Sequence, residues 1–312
     1  MNGIINISEI RELIKKEIPH VDVTYAESMK NHTSFRIGGD ADIFVDVKNE
    51  DDIINSVSFF KKYNIPYTII GNGSNLLVSD YGIEGAVICI GKSYTDIETD
   101  GEYIRASSGT LLSKIASVAL ENSLAGFEFA SGIPGTLGGA LVMNAGAYGG
   151  EMKDVTFETK YINSKGEICK VTGDEHMFSY RHSCFTKDDI ILSSTLKLQK
   201  GDKDEIKELM QSLATKRREK QPLEYPSAGS TFKRPEGYFA AKLIDDANLR
   251  GFSVGGAKVS DKHCGFVINS DNATCRDVLN LMKHIRETVK DKFGVILEPE
   301  VRFLGRCMDV EI

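Results

Sequence analysis

From Gly126 to Gly150 the chain reads GFEFASGIPGTLGGALVMNAGAYGG, which gathers eight of its 29 glycines into one stretch. Glycine loses more conformational freedom on folding than any other residue, so such density implies a demand on the backbone. Tight turns and close approach to a ligand are the usual sources of that demand. A tightly packed glycine crossing inside the core is the plain alternative. A second glycine-rich turn, GNGSN at 71–75, lies between two apolar runs. Successive backbone N–H groups in such a turn form a concave nest for an anion, and Ser74 and Asn75 add donors. Taken alone, GNGSN reads equally well as a hairpin turn. Two separate loops of this kind would suit a long ligand bearing phosphates and a planar ring.

The familiar nucleotide motifs do not fit. GNGSNL has Leu76 where G-x-G-x-x-G needs its third glycine, and it joins two strands instead of opening a helix. GAVICIGKS (85–93) ends in G-K-S but has Ala86 where the phosphate loop needs glycine, and VICI is strand-like. Ser230 to Lys233 spell S-x-x-K, and SDN follows at 270–272, two of the motifs of acylating serine enzymes. Pro235 opposes the helix that would carry Lys233 onto the face of Ser230, because proline disfavours the α conformation in the residue before it. No K-T-G is present.

Composition narrows the remaining classes. The 312 residues, 41% hydrophobic and 27% charged, suit a soluble chain of two or three modest domains. A net charge of −7 argues against non-specific nucleic-acid binding or a polybasic membrane contact. No apolar run reaches the length of a membrane span. The opening MNGIINISEIRELIKKEIPH reads as a short amphipathic helix, with Ile7, Ile10, Ile14 and Ile18 on one side, and not as a signal peptide. Six scattered cysteines (Cys89, Cys169, Cys184, Cys264, Cys275, Cys307) without C-x-x-C suit free thiols in a reducing compartment. The six histidines form no ligand cluster, so no metal is expected. The expectation is a cytoplasmic protein without nucleic-acid partner or membrane insertion.

Periodicity points to the α+β class. Residues 38–90 alternate strand and helix, with Asp51 and Asp52 as caps for a helix bearing Ile53, Ile54, Val57 and Phe60. Residues 93–200 read as short antiparallel strands interrupted by a helix at 110–121. Beyond 203 the helical period returns (Ile206, Leu209, Met210, Leu213), with further helices predicted at 237–248 and 274–292 and a strand in HCGFVINS. VILEPEVRFLG reads as a strand broken at Pro299, with Glu298, Glu300 and Arg302 on one face. Alone, that face reads as solvated, and Arg181 in FSYRHSCF as a surface ion-pair residue.

Seven segments in order, NHTSFRIGG (31–39), GNGSNLLV (71–78), SGIPGTLGGALVMNAGAYG (131–149), YRHS (180–183), AGSTFKRP (228–235), AAKLID (240–245) and LEPEVRFLG (297–305), together resemble the UDP-N-acetylenolpyruvoylglucosamine reductases (MurB). The second and third segments are also similar to the wider flavin-binding superfamily typified by vanillyl-alcohol oxidase. Arg181 and Ser230 lie only 49 positions apart, which resembles the shorter subclass without an inserted tyrosine loop. The resemblance implies a two-part FAD-binding region, a small α/β unit (1–92) and a mainly antiparallel α+β unit (93–205). A separate α/β UDP-sugar-binding unit (206–296) would follow, and strand 297–312 would return to the first unit. It implies a monomer that uses NADPH to reduce FAD and then passes hydride to C3 of the enolpyruvyl group of UDP-N-acetylglucosamine enolpyruvate, giving UDP-N-acetylmuramate. FAD contacts are implied at Gly71, Asn72, Gly73, Ser74 and Asn75, and at Ser131, Gly132, Ile133, Pro134, Gly135, Gly138, Gly139, Gly146 and Ala147. Catalysis is implied at Arg181, Glu300 and Ser230, the last as proton donor to C2. Substrate contacts are implied at Tyr180, Arg217, Lys220, Arg234 and His263. Another FAD-dependent oxidase or dehydrogenase of the superfamily is the alternative.

Overall fold

The computed structural model describes residues 7–307. Residues 1–6 of the amphipathic opening and 308–312 of the returning segment lie outside the described residues. Helix α1 (Ile7–Glu17) buries Ile10 and Ile14, and Ile18 just beyond it, while Ile7 is exposed. These side chains join Val45, Ile53, Val57, Phe60 and Ile88 in one core. That core lies on a four-stranded sheet drawn from β1 (Asp22–Ser28), β2 (Asp40–Asp46), β3 (Tyr67–Ile70) and β5 (Ile83–Cys89), in the order β1-β2-β5-β3. The first pair is antiparallel and the others are parallel. Between β2 and β3, α2 (Glu50–Lys62) begins two to three residues earlier than expected. Its cap is Asn49, whose side chain accepts from Asp52 N at 2.8 Å, and not Asp51 or Asp52. Asp52 instead accepts from Lys48 N at 2.9 Å. Strand β4 (Leu76–Val78) belongs to none of this sheet.

The next unit is antiparallel, as the strand pattern suggests. Strands β6 (Ile97–Asp100) and β7 (Tyr103–Ser107) precede α3 (Leu112–Glu121) and β8 (Leu124–Ala125). A short helix follows inside the glycine-rich segment, α4 (Leu137–Val142), which its two adjacent glycines hide from any propensity argument. After the small β9 (Gly146–Ala147) and β10 (Gly150–Glu151) come β11 (Thr156–Ile162), β12 (Ile168–Thr172), β13 (Ile190–Lys197) and β14 (Gln199–Lys200). The sheet runs β12-β11-β13-β7-β6, and α3 and α4 cover one face of it.

His176 is fully buried in this unit, with Nδ1 3.0 Å from Gly173 O and Nε2 2.9 Å from Thr159 Oγ1. Burial holds its pKa below the usual 6.5. The unfolded chain therefore binds more protons near and below pH 6.5, and stability falls as pH drops through that value. Urea midpoints at pH 7.5 and 5.5 should show this fall. A His176→Gln variant should lose the part that His176 contributes.

Helix α5 (Lys203–Lys220) starts on Asp202, whose carboxylate accepts from Asp204 N and Glu205 N. Of its expected stripe only Ile206 and Leu213 are buried, and Leu209 is exposed, because the helix rests on its neighbours along a narrow line. Helix α6 (Ala240–Asp246), the antiparallel strands β15 (Ser253–Val254), β16 (Ala257–Val259) and β17 (Val267–Asn269), and helix α7 (Cys275–Phe293) complete a third layer. Its core is not self-contained, since Phe35, Ile37 and Leu77 from the first unit pack into it. Asp80 adds a polar tie, accepting from Cys275 N at 2.8 Å and Arg276 N at 3.0 Å at the start of α7.

VILEPEVRFLG is not one broken strand. Only β18 (Arg302–Leu304) enters a ladder, parallel to β4, and Pro299 makes an isolated bridge with Phe232. Its polar face is also not uniformly solvated. The Glu298 side chain is 71% exposed and that of Glu300 is 13% exposed.

Candidate active site

GNGSN is not a hairpin. The strand before it, β3, pairs with β5, and the strand after it, β4, pairs with β18. The loop is therefore a crossing point between two layers. Gly73 has φ +61°, and a Cβ there would run into the carbonyl oxygen of His32. A Cβ on Gly71 would strike Thr136 Oγ1, in the second glycine-rich loop. Asn72 Nδ2 donates to Pro134 O at 2.7 Å and fastens the two loops together.

Two cavities meet at this fastening and share Gly71, Asn72, Ser74, Pro134 and Arg217 in their walls. The larger, about 1080 Å³, runs past Gly132, Cys89, Gly91, Lys92 and Asp46 to the 222–227 loop. The smaller, about 390 Å³, is walled by Gly73, Asn75, Ile133, Gly135, Gly138, Gly139, Gly146 and Ala147, and also by Arg181, Ser230, Glu300 and Arg302. Of the expected loop residues only Ser131 lines neither. Its hydroxyl donates to Glu128 O at 2.8 Å instead. Burial pushes the Cys89 thiol up to about 12, so it stands in the wall as a neutral group.

Arg181 sits in a tight turn closed by mutual Ser179–His182 backbone hydrogen bonds, and its φ is +56°. Such a conformation is costly for a long side chain and persists only where the surroundings impose it. Its Nε donates to Glu300 Oε1 at 2.7 Å, with the two side chains 21% and 13% exposed. Arg181 is thus no surface ion-pair residue. Ser230 lies in an extended segment after Gly229 (φ +77°), where Lys233 N donates to Glu298 O and Glu300 N donates to Thr231 O. The helix needed by an S-x-x-K nucleophile is absent from 229–235. Lys233 pairs with Glu298 at 3.2 Å. The SDN run is a turn, with Asn272 at φ +47°.

Among the expected substrate residues the structure brings Arg217 into the cleft, against Gly132. Burial lowers its pKa, and its guanidinium has no acceptor among the described residues. The other four lie outside the lining of both cavities. Tyr180 stacks under the Arg181 guanidinium, 5.0 Å from ring centre to Cζ, and its hydroxyl accepts from Arg234 N. The Arg234 guanidinium lies 4.0 Å over the Phe239 ring. His263 packs edge-on against Phe266, and Lys220 is exposed at the end of α5.

Three residues that the sequence did not single out join the smaller cavity. Arg302 has no protein acceptor among the described residues, and partial burial lowers its pKa. Its alternation with Glu300 was the available signal. Ser108 Oγ and Gln221 Oε1 are buried in the wall without a hydrogen-bond partner. Buried polar atoms are normally paired, so two orphans in one cleft fit a polar ligand. Together with the glycine cradle and the unpaired Arg217 guanidinium, they fit a dinucleotide with a diphosphate at the loop junction.

Comparison with known proteins agrees. Residues 41–172 match the FAD binding domain, and the chain is an FAD-dependent oxidoreductase. Residues 221–304 match the UDP-N-acetylenolpyruvoylglucosamine reductase C-terminal domain. The reductase of that name from Caldanaerobacter subterraneus subsp. tengcongensis is 50% identical over 300 residues, 96% of this chain and 98% of the relative. The one from Agathobacter rectalis is 52% identical over 305 residues, 94% and 97% respectively. The crystal structure of the Thermus caldophilus reductase superposes with a TM-score of 0.78 at 32% identity, covering 91% of this chain and 98% of that one. This chain belongs to the UDP-N-acetylenolpyruvoylglucosamine reductase family. Among the described residues no helix is long and apolar enough to cross a membrane, and no group of His, Cys, Asp or Glu could hold a metal ion.

Proposed function

We propose that this chain reduces UDP-N-acetylglucosamine enolpyruvate to UDP-N-acetylmuramate with NADPH as reductant, as a cytoplasmic monomer serving peptidoglycan precursor synthesis. The convergence of Arg181, Glu300 and Ser230 on the smaller cavity carries this reading. FAD, when bound, supplies the hydride chemistry, and the protein supplies orientation and electrostatics. Arg181 faces the charge that develops on the substrate carboxylate as the double bond is reduced. A guanidinium suits that task because it keeps its proton. Glu300 takes Nε and leaves both Nη groups of Arg181 free for the substrate. Ser230, with no protein partner for its hydroxyl among the described residues, delivers the proton to C2.

Residues 1–92 with 297–312, and residues 93–205, form the two halves of the FAD site in this reading, and 206–296 hold the UDP-sugar. Arg217, at the loop junction, is better placed for the cofactor's diphosphate than for that of UDP. Lys220 and Arg234 keep the latter role, with Tyr180 and His263 beside them. The purified protein should be yellow. Anaerobic NADPH should bleach it, and the enolpyruvyl sugar should restore the colour. Bleaching followed by recovery with oxygen alone, and no response to the sugar, would mark a different flavin oxidase or dehydrogenase.

A further inference from the structure

We propose that Asn75 is a positioning residue that ties the filling of the cofactor loop to the placement of Glu300. The inference rests on the roles given above to FAD and Glu300. Asn75 closes the GNGSN loop and lies 225 positions from Glu300 in the chain. Its side-chain amide donates to Glu300 O at 3.0 Å. Its own carbonyl accepts from Arg302 N at 2.9 Å. The side chain expected to meet the cofactor thus holds the segment that carries the carboxylate. One residue later the ladder of β4 and β18 begins, with Leu76 opposite Arg302.

Thr231 grips Glu300 from the other side. It is 2% exposed, its carbonyl accepts from Glu300 N at 2.9 Å, its N–H donates to Gly265 O at 2.9 Å, and its Oγ1 accepts from Val267 N at 2.9 Å. One run of hydrogen bonds therefore leads from the glycine loop through Asn75 and Glu300 to the residue beside Ser230. The Glu300 side chain branches from it to the 2.7 Å contact with Arg181. A contact that short tolerates little displacement, because hydrogen bonds weaken steeply away from ideal length and angle. Filling the loop fixes Asn75, and fixing Asn75 fixes Glu300.

Hydrogen exchange tests this without turnover. In the native protein, FAD is expected to slow exchange of the Glu300 and Arg302 amides by about tenfold or more, the scale of one stabilised hydrogen bond. Asn75→Asp is isosteric but lacks the donor. At saturating FAD it should abolish that protection, so that a change in affinity does not enter the comparison. Asn75→Ala, which has no donor and no charge, serves as a second variant should the aspartate impair folding. Unchanged protection in both variants at saturating FAD would overturn the proposal. In stopped flow, Asn75→Asp should slow reoxidation of the flavin by the UDP-sugar and add almost nothing in a Glu300→Ala background, since coupled sites are not additive. Full additivity would also overturn it. If the unmodified protein is not reoxidised by the sugar, the proposed reaction fails, and the exchange result still decides the role of Asn75.

Discussion

Ser230→Ala should slow reoxidation of the reduced flavin by UDP-N-acetylglucosamine enolpyruvate by about 10²–10⁴-fold, the usual worth of a positioned general acid. Reduction of the flavin by NADPH should be untouched. The asymmetry follows from geometry. Ser230 shares the smaller cavity with Arg181 and Glu300, and no hydrogen bond among the described residues occupies its hydroxyl. A hydroxyl is a weak acid, but the carbon left at C2 is a far stronger base, so the transfer runs downhill. Ser230→Cys, which keeps a transferable proton in a slightly larger group, should recover part of the rate. Anaerobic stopped flow separates the two halves. Equal loss of both would remove Ser230 from the proton-donor role and make it a residue of the shared cavity wall.

Gly73→Ala should leave the purified protein nearly without FAD. Two independent demands meet at this position. The backbone holds φ +61°, which costs an L-residue roughly 1–2 kcal/mol, and the added methyl would collide with the His32 carbonyl oxygen. The collision is with backbone and cannot be relieved by turning a side chain. The loop must move, and the N–H groups expected to face the cofactor's diphosphate move with it. The ratio of flavin to protein absorbance, with circular dichroism as a check on folding, reads the result. A full complement of flavin would show that GNGSN has room to spare and that the diphosphate is held elsewhere.

Much of this architecture could be read from short-range patterns. The helices at 110–121, 237–248 and 274–292 are found at Leu112–Glu121, Ala240–Asp246 and Cys275–Phe293, because apolar spacing and caps act within a few residues. The expected catalytic residues Arg181, Ser230 and Glu300 stand out only within the longer segments that resemble the family, whereas their alternation and local context read as ordinary surface. What stayed hidden depends on distant partners. Nothing near Asn75 in the sequence points to Glu300, and nothing near Gln221 marks its carbonyl oxygen as an orphan. The short helix α4 was masked by Gly138 and Gly139, whose low helix propensity is outweighed by tertiary packing of Leu137 and Leu141. The contacts that the 206–296 unit makes with the first unit are of the same kind. Its helical periodicity said nothing of the three first-unit side chains that fill its core.

The pairing of β4 with β18 has a consequence for biosynthesis. A nascent chain emerges from the ribosome in order, and early segments fold first. The glycine loop leaves the tunnel with its following strand, yet that strand has no ladder partner among the described residues until 302–304 arrive. Until then Leu77 lacks most of the neighbours that bury it, and the loop lacks the backbone against which Asn75 is set. Flavin capture is therefore expected to be a late event in the life of the polypeptide. Translation that stalls short of this point would release a chain with a nearly complete first sheet and no grip on its cofactor.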